Sequence, residues 1–111
     1  MERVYVKHLK EVINSGEDFL LINVQTPKEF YNEHIPGSVN IPINPEEEFL
    51  QRVESMAAKK SIKIFVYCGS ENCSDSEKAA KILDKAGFSS ALDFVGGLKE
   101  WKDANEPTTK L

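Results

Sequence analysis

The chain of 111 residues contains only two cysteines, two histidines and one tryptophan. Two cysteines cannot form the multi-bridge framework of small secreted scaffolds, and a domain of this length buries enough core to fold without one. The histidines, His8 and His34, make no metal-binding spacing with each other or with the cysteines, so no metal is expected. Basic charge is also scarce. Fourteen Lys and Arg against 18 Asp and Glu leave a net charge of −4, without the clustered positive surface that releases counterions from a nucleic acid or an anionic membrane. No apolar run approaches the roughly 20 residues of a bilayer span, and MERVYVKHLK has no signal-peptide core. These absences predict one soluble, cytoplasmic domain over residues 1–111, with neither nucleic acid nor membrane as a partner, and nothing in the sequence demands more than a monomer.

What is present is an alternation of apolar and amphipathic segments, the α/β rhythm. An apolar start at residues 4–6 leads into Leu9, Val12 and Ile13, spaced for one helical face and stopped by Asn14-Ser15-Gly16. Residues 19–24 read as a buried strand. Thr26-Pro27-Lys28-Glu29 supplies a capping Thr, a proline at the first helical position and a Glu three residues after the cap, which predicts a short helix through Phe30. A turn at His34-Ile35-Pro36-Gly37 then delivers a short strand over 39–41. Asn44-Pro45-Glu46-Glu47 repeats the cap pattern and predicts a helix to about Lys59, with Phe49, Leu50, Val53, Met56 and Ala57 facing inward. Residues 62–67 are the most continuous apolar run and suit a central strand covered on both faces. A loop follows, then a helix from about Ser76 to Ala86 closed by Gly87, a last strand over 91–95, a short helix carrying Leu98 and Trp101, and a polar tail from Asn105.

In open α/β sheets, ligands sit beyond the carboxyl ends of the strands, where loops enter helices and free N–H groups converge. Cys68 stands at such a point. A sulfur over a loop of backbone N–H groups and the positive end of a helix has a lowered thiol pKa and a place for an anion; the other local reading is a buried structural cysteine.

At these residues the sequence resembles the single-domain rhodanese family of sulfurtransferases. LLINVQTPKEF is similar to the family's first inner strand and helix, EHIPGSVNIP to its His-Ile-Pro-Gly turn, IFVYCGSENCSDSEKAAKIL to its cysteine loop and helix, and VGGLKEWKDANEP to its closing Gly-Gly and Trp segment. The resemblance implies a three-layer α/β fold with a five-stranded, mainly parallel sheet flanked by helices. It also implies that Cys68 is the catalytic nucleophile that carries a sulfane sulfur as a persulfide, cradled by the loop residues Gly69, Ser70, Glu71, Asn72, Cys73 and Ser74.

The loop departs from the family pattern. Gly69 stands where a first Arg is frequent, Glu71 where Gly is frequent, and Cys73 where a second Arg is frequent; no base occurs between Cys68 and Glu77. Such a loop should bind the thiosulfate dianion weakly, which favours a polysulfide or persulfide as the small sulfur donor, with a thiol as acceptor. The family's usual Asp-Val-Arg ahead of the first inner helix is replaced by Asn23-Val24-Gln25. An ionic network containing the loop Arg then reads as having become neutral, so that Cys73→Arg alone destabilises the protein.

Cys73, five positions after Cys68, has three open roles: a resolving thiol that attacks the Cys68 persulfide, a guard against over-oxidation, or a small residue packed at the loop's end. His34 reads as a turn residue with a local hydrogen bond, and Trp101 as a core anchor. Two functions compete. One is a sulfurtransferase or sulfane-sulfur carrier acting through Cys68; the other is a catalytically weak module for protein binding or redox sensing through Cys68 and Cys73. A phosphatase of related fold would need Arg where Ser74 stands.

Overall fold

A computed structural model describes residues 1–111. Five strands, β1 (Glu2–Val4), β2 (Phe19–Asn23), β3 (Val39–Asn40), β4 (Lys63–Tyr67) and β5 (Ala91–Phe94), alternate with five helices. These are α1 (Val6–Ser15), α2 (Pro27–Asn32), α3 (Glu46–Met56), α4 (Asp75–Lys85) and α5 (Gly97–Asp103). The strands form one sheet in the order β1-β5-β4-β2-β3, and every pairing is parallel, where the sequence suggested only a mainly parallel sheet.

The apolar run of β4 is central because both its faces are covered. Ile64, Val66 and Cys68 point to one side with Ile22 and Val24, under Phe49 and Val53 of α3 and Ala79, Ala80 and Leu83 of α4. Phe65 and Tyr67 point to the other with Leu21, Leu92 and Phe94, under Leu9 and Val12 of α1 and Trp101 of α5. Burying side chains of this size contributes roughly 1.5–3 kcal/mol each.

The capping box at α2 forms as expected: Glu29 N donates to Thr26 Oγ1 at 3.3 Å and Thr26 N to Glu29 Oε1 at 3.1 Å. Elsewhere the bounds shift. β1 lies earlier than residues 4–6 because Val6 already belongs to α1, and Ile13, expected on the buried face of that helix, is 37% exposed. In α3, Pro45 and not Asn44 is the cap, with three glutamates in the first turn facing the positive end of the helix dipole. That helix ends at Met56, short of Lys59, because Ala57 turns extended, and Met56 is exposed rather than inward. Helix α4 begins one residue early, at Asp75.

The polar tail is tied down. Trp101 Nε1 donates to Pro107 O at 2.7 Å, and His34 and Thr109 exchange backbone hydrogen bonds, both 2.9 Å. His34 is buried, stacks on Phe30 and hydrogen-bonds Phe30 O through Nδ1 at 2.7 Å, the local role expected of it. No helix is long and apolar enough to cross a membrane.

Candidate functional site

Cys68 directly follows the central strand, and three elements fix its position. Tyr67 is wholly buried; its hydroxyl accepts from Ile35 N at 3.1 Å and shares a 2.8 Å hydrogen bond with Ser38 Oγ, which locks the end of β4 to the His-Ile-Pro-Gly turn. Burial pushes the Tyr67 hydroxyl pKa up, so it stays a neutral hydrogen-bonding group. On the other side, the first free N–H groups of α5 reach the strand end: Leu98 N donates to Cys68 O and Lys99 N to Gly69 O, both at 2.9 Å. Gly97, at φ +57°, lets the helix come this close.

The loop then folds back on itself. Ser70 O accepts from Cys73 N at 3.1 Å, closing a turn over residues 70–73, and Ser70 Oγ accepts from Asn72 N at 3.3 Å. This turn carries Cys73 onto Cys68, and the two sulfurs form a disulfide with Cα atoms 6.5 Å apart. Cys68 is only 2% exposed. Its Sγ lies 3.7 Å from Cys73 O, 4.0 Å from Ser70 O and 3.9 Å from Ser76 Oγ.

That geometry alters the expected cradle. In this disulfide-bonded form the N–H groups of Asn72 and Cys73 serve Ser70, and the Cys68 sulfur has two carbonyl oxygens and a hydroxyl within 4.0 Å. The disulfide closes the loop into a small ring, and the turn inside that ring engages two of its N–H groups, those of Asn72 and Cys73.

A cavity of about 620 Å³ opens above the sulfurs. Of the loop residues singled out in the sequence, Cys68, Gly69, Ser70 and Cys73 line it, whereas Glu71, Asn72 and Ser74 are exposed outside its lining. The opposite wall comes from Thr26, Glu29, Pro42 and Asn44, none of which the sequence marked as part of the site. Thr26 was legible only as a helix cap.

Three charged groups near the loop also went unforeseen. Lys99 lies within the field of Glu71, but its Nζ is bound to Asp103 at 2.8 Å, and that bond holds its pKa above the usual lysine value. This cation is thus already engaged by Asp103. Beneath Ser76, Asp93 is buried with Oδ1 unpartnered, and burial raises its pKa against the lowering by Ser76 and Arg3; Glu77 adds to the rise. Gln25 packs beside Gly69. A Cβ at Gly69 would stand 3.2 Å from Gln25 Nε2, while no hydrogen bond joins Asn23 or Gln25 to Cys73.

A cysteine at the carboxyl end of the central strand of a parallel α/β sheet, under a loop that enters a helix, stands where ligands bind in folds of this class. The chain belongs to the rhodanese family: the rhodanese-like domain model matches residues 6–104. It is 34% identical to "Adenylyltransferase and sulfurtransferase MOCS3-1" of Zea mays over 89% of its own length, but spans only 21% of that protein. It is 27% identical to "Putative sulfur carrier protein YrkF" of Bacillus subtilis, over 93% of this chain and 52% of that one. Among solved structures, the Alr3790 protein from Anabaena sp. superposes with a TM-score of 0.83 at 28% identity, covering 97% of this chain and 80% of that one. The chain is therefore homologous to sulfurtransferase and sulfur-carrier domains and spans about a fifth of the length of the maize relative.

Proposed function

We propose that Cys68, in its thiol form, takes a sulfane sulfur from a small persulfide or polysulfide and passes it to a thiol acceptor, as a monomeric sulfurtransferase of the reducing cytoplasm. The observation that carries this reading is the placement of Cys68 under the 620 Å³ cavity at the end of β4, in a chain of the rhodanese family. The Cys68 thiolate attacks the outer sulfur of the donor, the donor's S–S bond breaks, and the donor leaves as a thiolate. An acceptor thiolate then attacks the outer sulfur of the Cys68 persulfide and Cys68 departs as the thiolate. No step needs a cofactor.

The electrostatics favour that donor class. Glu71 is exposed on the loop, Lys99 is held by Asp103, and the residues lining the cavity include Glu29 and Asp75 but no Lys or Arg, which disfavours a dianion such as thiosulfate. The disulfide supports a second reading, a redox-sensing module without turnover. Incubation of the reduced protein with thiosulfate and, separately, with glutathione persulfide, followed by assay of sulfur transfer to cyanide and to a thiol, separates the two. Transfer is expected from glutathione persulfide, weakly from thiosulfate, and from neither in Cys68→Ser. Absence of transfer from every donor overturns the sulfurtransferase and leaves the sensing module.

A further inference from the structure

A persulfide on Cys68 has two sulfurs, and the nucleophile's choice between them decides the product. Attack at the outer sulfur transfers it. Attack at the inner sulfur, Cys68 Sγ, expels the outer one as sulfide. We propose that Cys73 is the group that makes the second attack, so that the domain also reduces sulfane sulfur to sulfide; this rests on the persulfide reading above.

The burial of Cys68 discriminates between the two attacks. With 2% of the residue exposed and Sγ enclosed by the carbonyls of Ser70 and Cys73 and the hydroxyl of Ser76, an external thiol arriving through the cavity meets the outer sulfur and is screened from the inner one. Cys73 is not screened. It lines the same cavity, is partly exposed, and is carried over Cys68 by the turn at residues 70–73. Its Cα stands 6.5 Å from that of Cys68, inside the span of about 4.4–6.8 Å that a disulfide bridges. The bond between the two sulfurs is the product of this reaction.

The step balances without an oxidant. Cys73 gives its proton to solvent, its thiolate forms the S–S bond to Cys68 Sγ, and the bond between Sγ and the outer sulfur breaks with the electron pair leaving on sulfide. The sulfane sulfur is reduced by two electrons and the two cysteine sulfurs are oxidised together. A dithiol reductant restores the thiols. Transfer and reduction thus compete for one intermediate, and sulfide yield falls as acceptor thiol rises.

The test is a single turnover without added thiol. Reduced, oxygen-free protein receives one equivalent of glutathione persulfide, is desalted at once, and is followed by intact mass while sulfide is trapped with an alkylating probe. Wild type should release one sulfide per chain and end as the dithiol less two hydrogens, with Cys68 and Cys73 joined in peptide maps. Cys73→Ser should lose sulfide release and remain one sulfur heavier at Cys68. A wild-type persulfide that persists with Cys73 open to alkylation overturns the inference and leaves the carrier intact. Equal sulfide release from Cys73→Ser also overturns it. No sulfur on Cys68 and no disulfide in either protein overturns both readings. A circular-dichroism melt checks the variant's fold, and the wild-type arm stands without the variant.

Discussion

Replacing Gly97 with alanine should damage the Cys68 site from the neighbouring helix. Gly97 holds φ +57°, and a Cβ built there falls onto the Cys68 carbonyl oxygen and lies 3.0 Å from its carbon and 3.2 Å from the Gly69 carbonyl carbon. All three are backbone atoms, so no rotamer change relieves the overlap. The left-handed backbone alone costs alanine about 1–2 kcal/mol. If α5 backs away, the 2.9 Å hydrogen bonds from Leu98 N to Cys68 O and from Lys99 N to Gly69 O are lost as well. At about 1 kcal/mol each, they bring the total to about 3–4 kcal/mol. Gly16 supplies the control: its φ is +81° and a methyl group there would meet nothing within 4 Å, so Gly16→Ala should show the backbone cost alone. In urea, with a slope of about 1.5 kcal/mol per molar, the midpoint should fall by roughly 2 M for Gly97→Ala and roughly 1 M for Gly16→Ala. Equal losses in the two variants would refute the close packing of α5 on Cys68 as the reason for the glycine.

Asp93 has a raised pKa in the folded state through burial, so it binds its proton more tightly there than in the unfolded chain. Its contribution to stability is then fullest below about pH 3.9 and is lost as pH rises through the raised value. Asp93→Asn should therefore melt above wild type near neutral pH, with the gap closing toward about pH 4; a gap independent of pH contradicts burial as the cause. Tyr67→Phe removes the acceptor of the buried Ile35 N–H and one partner of Ser38, which should cost about 1–3 kcal/mol in denaturant melts with an unchanged slope. A negligible loss would show that the turn is held by other contacts. Glu71→Gln should raise thiosulfate turnover a few-fold, an effect that shrinks as salt is added; no change at low salt removes loop charge as the determinant.

Elements were legible in the sequence wherever a local pattern decided them. Thr26-Pro27-Lys28-Glu29 contains its whole capping box within one turn, and the run ending in Tyr67 could only be a strand covered on both faces. Bounds were less legible because an apolar residue such as Val6 or Met56 does not show whether it continues an element or faces water past its end. The docking of the tail depends on a hydrogen bond from Trp101 to Pro107 and on the His34–Thr109 bridge, partners 6 and 75 positions apart, which no spacing rule connects. The site divides along the same line. Cys68 and its loop are one continuous segment at a strand end, whereas Thr26, Pro42, Asp93 and the Lys99–Asp103 pair reach it through folding alone.

The neutral groups beside the loop follow from what position 69 lacks. Asn23 is wholly buried; its Nδ2 donates to Gln25 Oε1 at 3.0 Å, and its Oδ1 accepts from Gln25 N at 2.8 Å and from Asn40 Nδ2 at 3.3 Å. Amides close this network without a charge. A carboxylate at position 23 would face Gln25 Oε1, and no Lys or Arg hydrogen-bonds to Asn23. Asn23→Asp should therefore cost about 3–5 kcal/mol near neutral pH, the range for an unpaired buried charge. Since burial favours the protonated acid, the loss should shrink as pH falls toward about 4. Gly69→Arg in the same background supplies a cation on the residue beside Gln25 and should recover part of the loss, whereas Cys73→Arg should not. Recovery by Cys73→Arg alone, read in a double-mutant cycle of urea unfolding energies, would place the missing charge at the second position of the loop instead of the first.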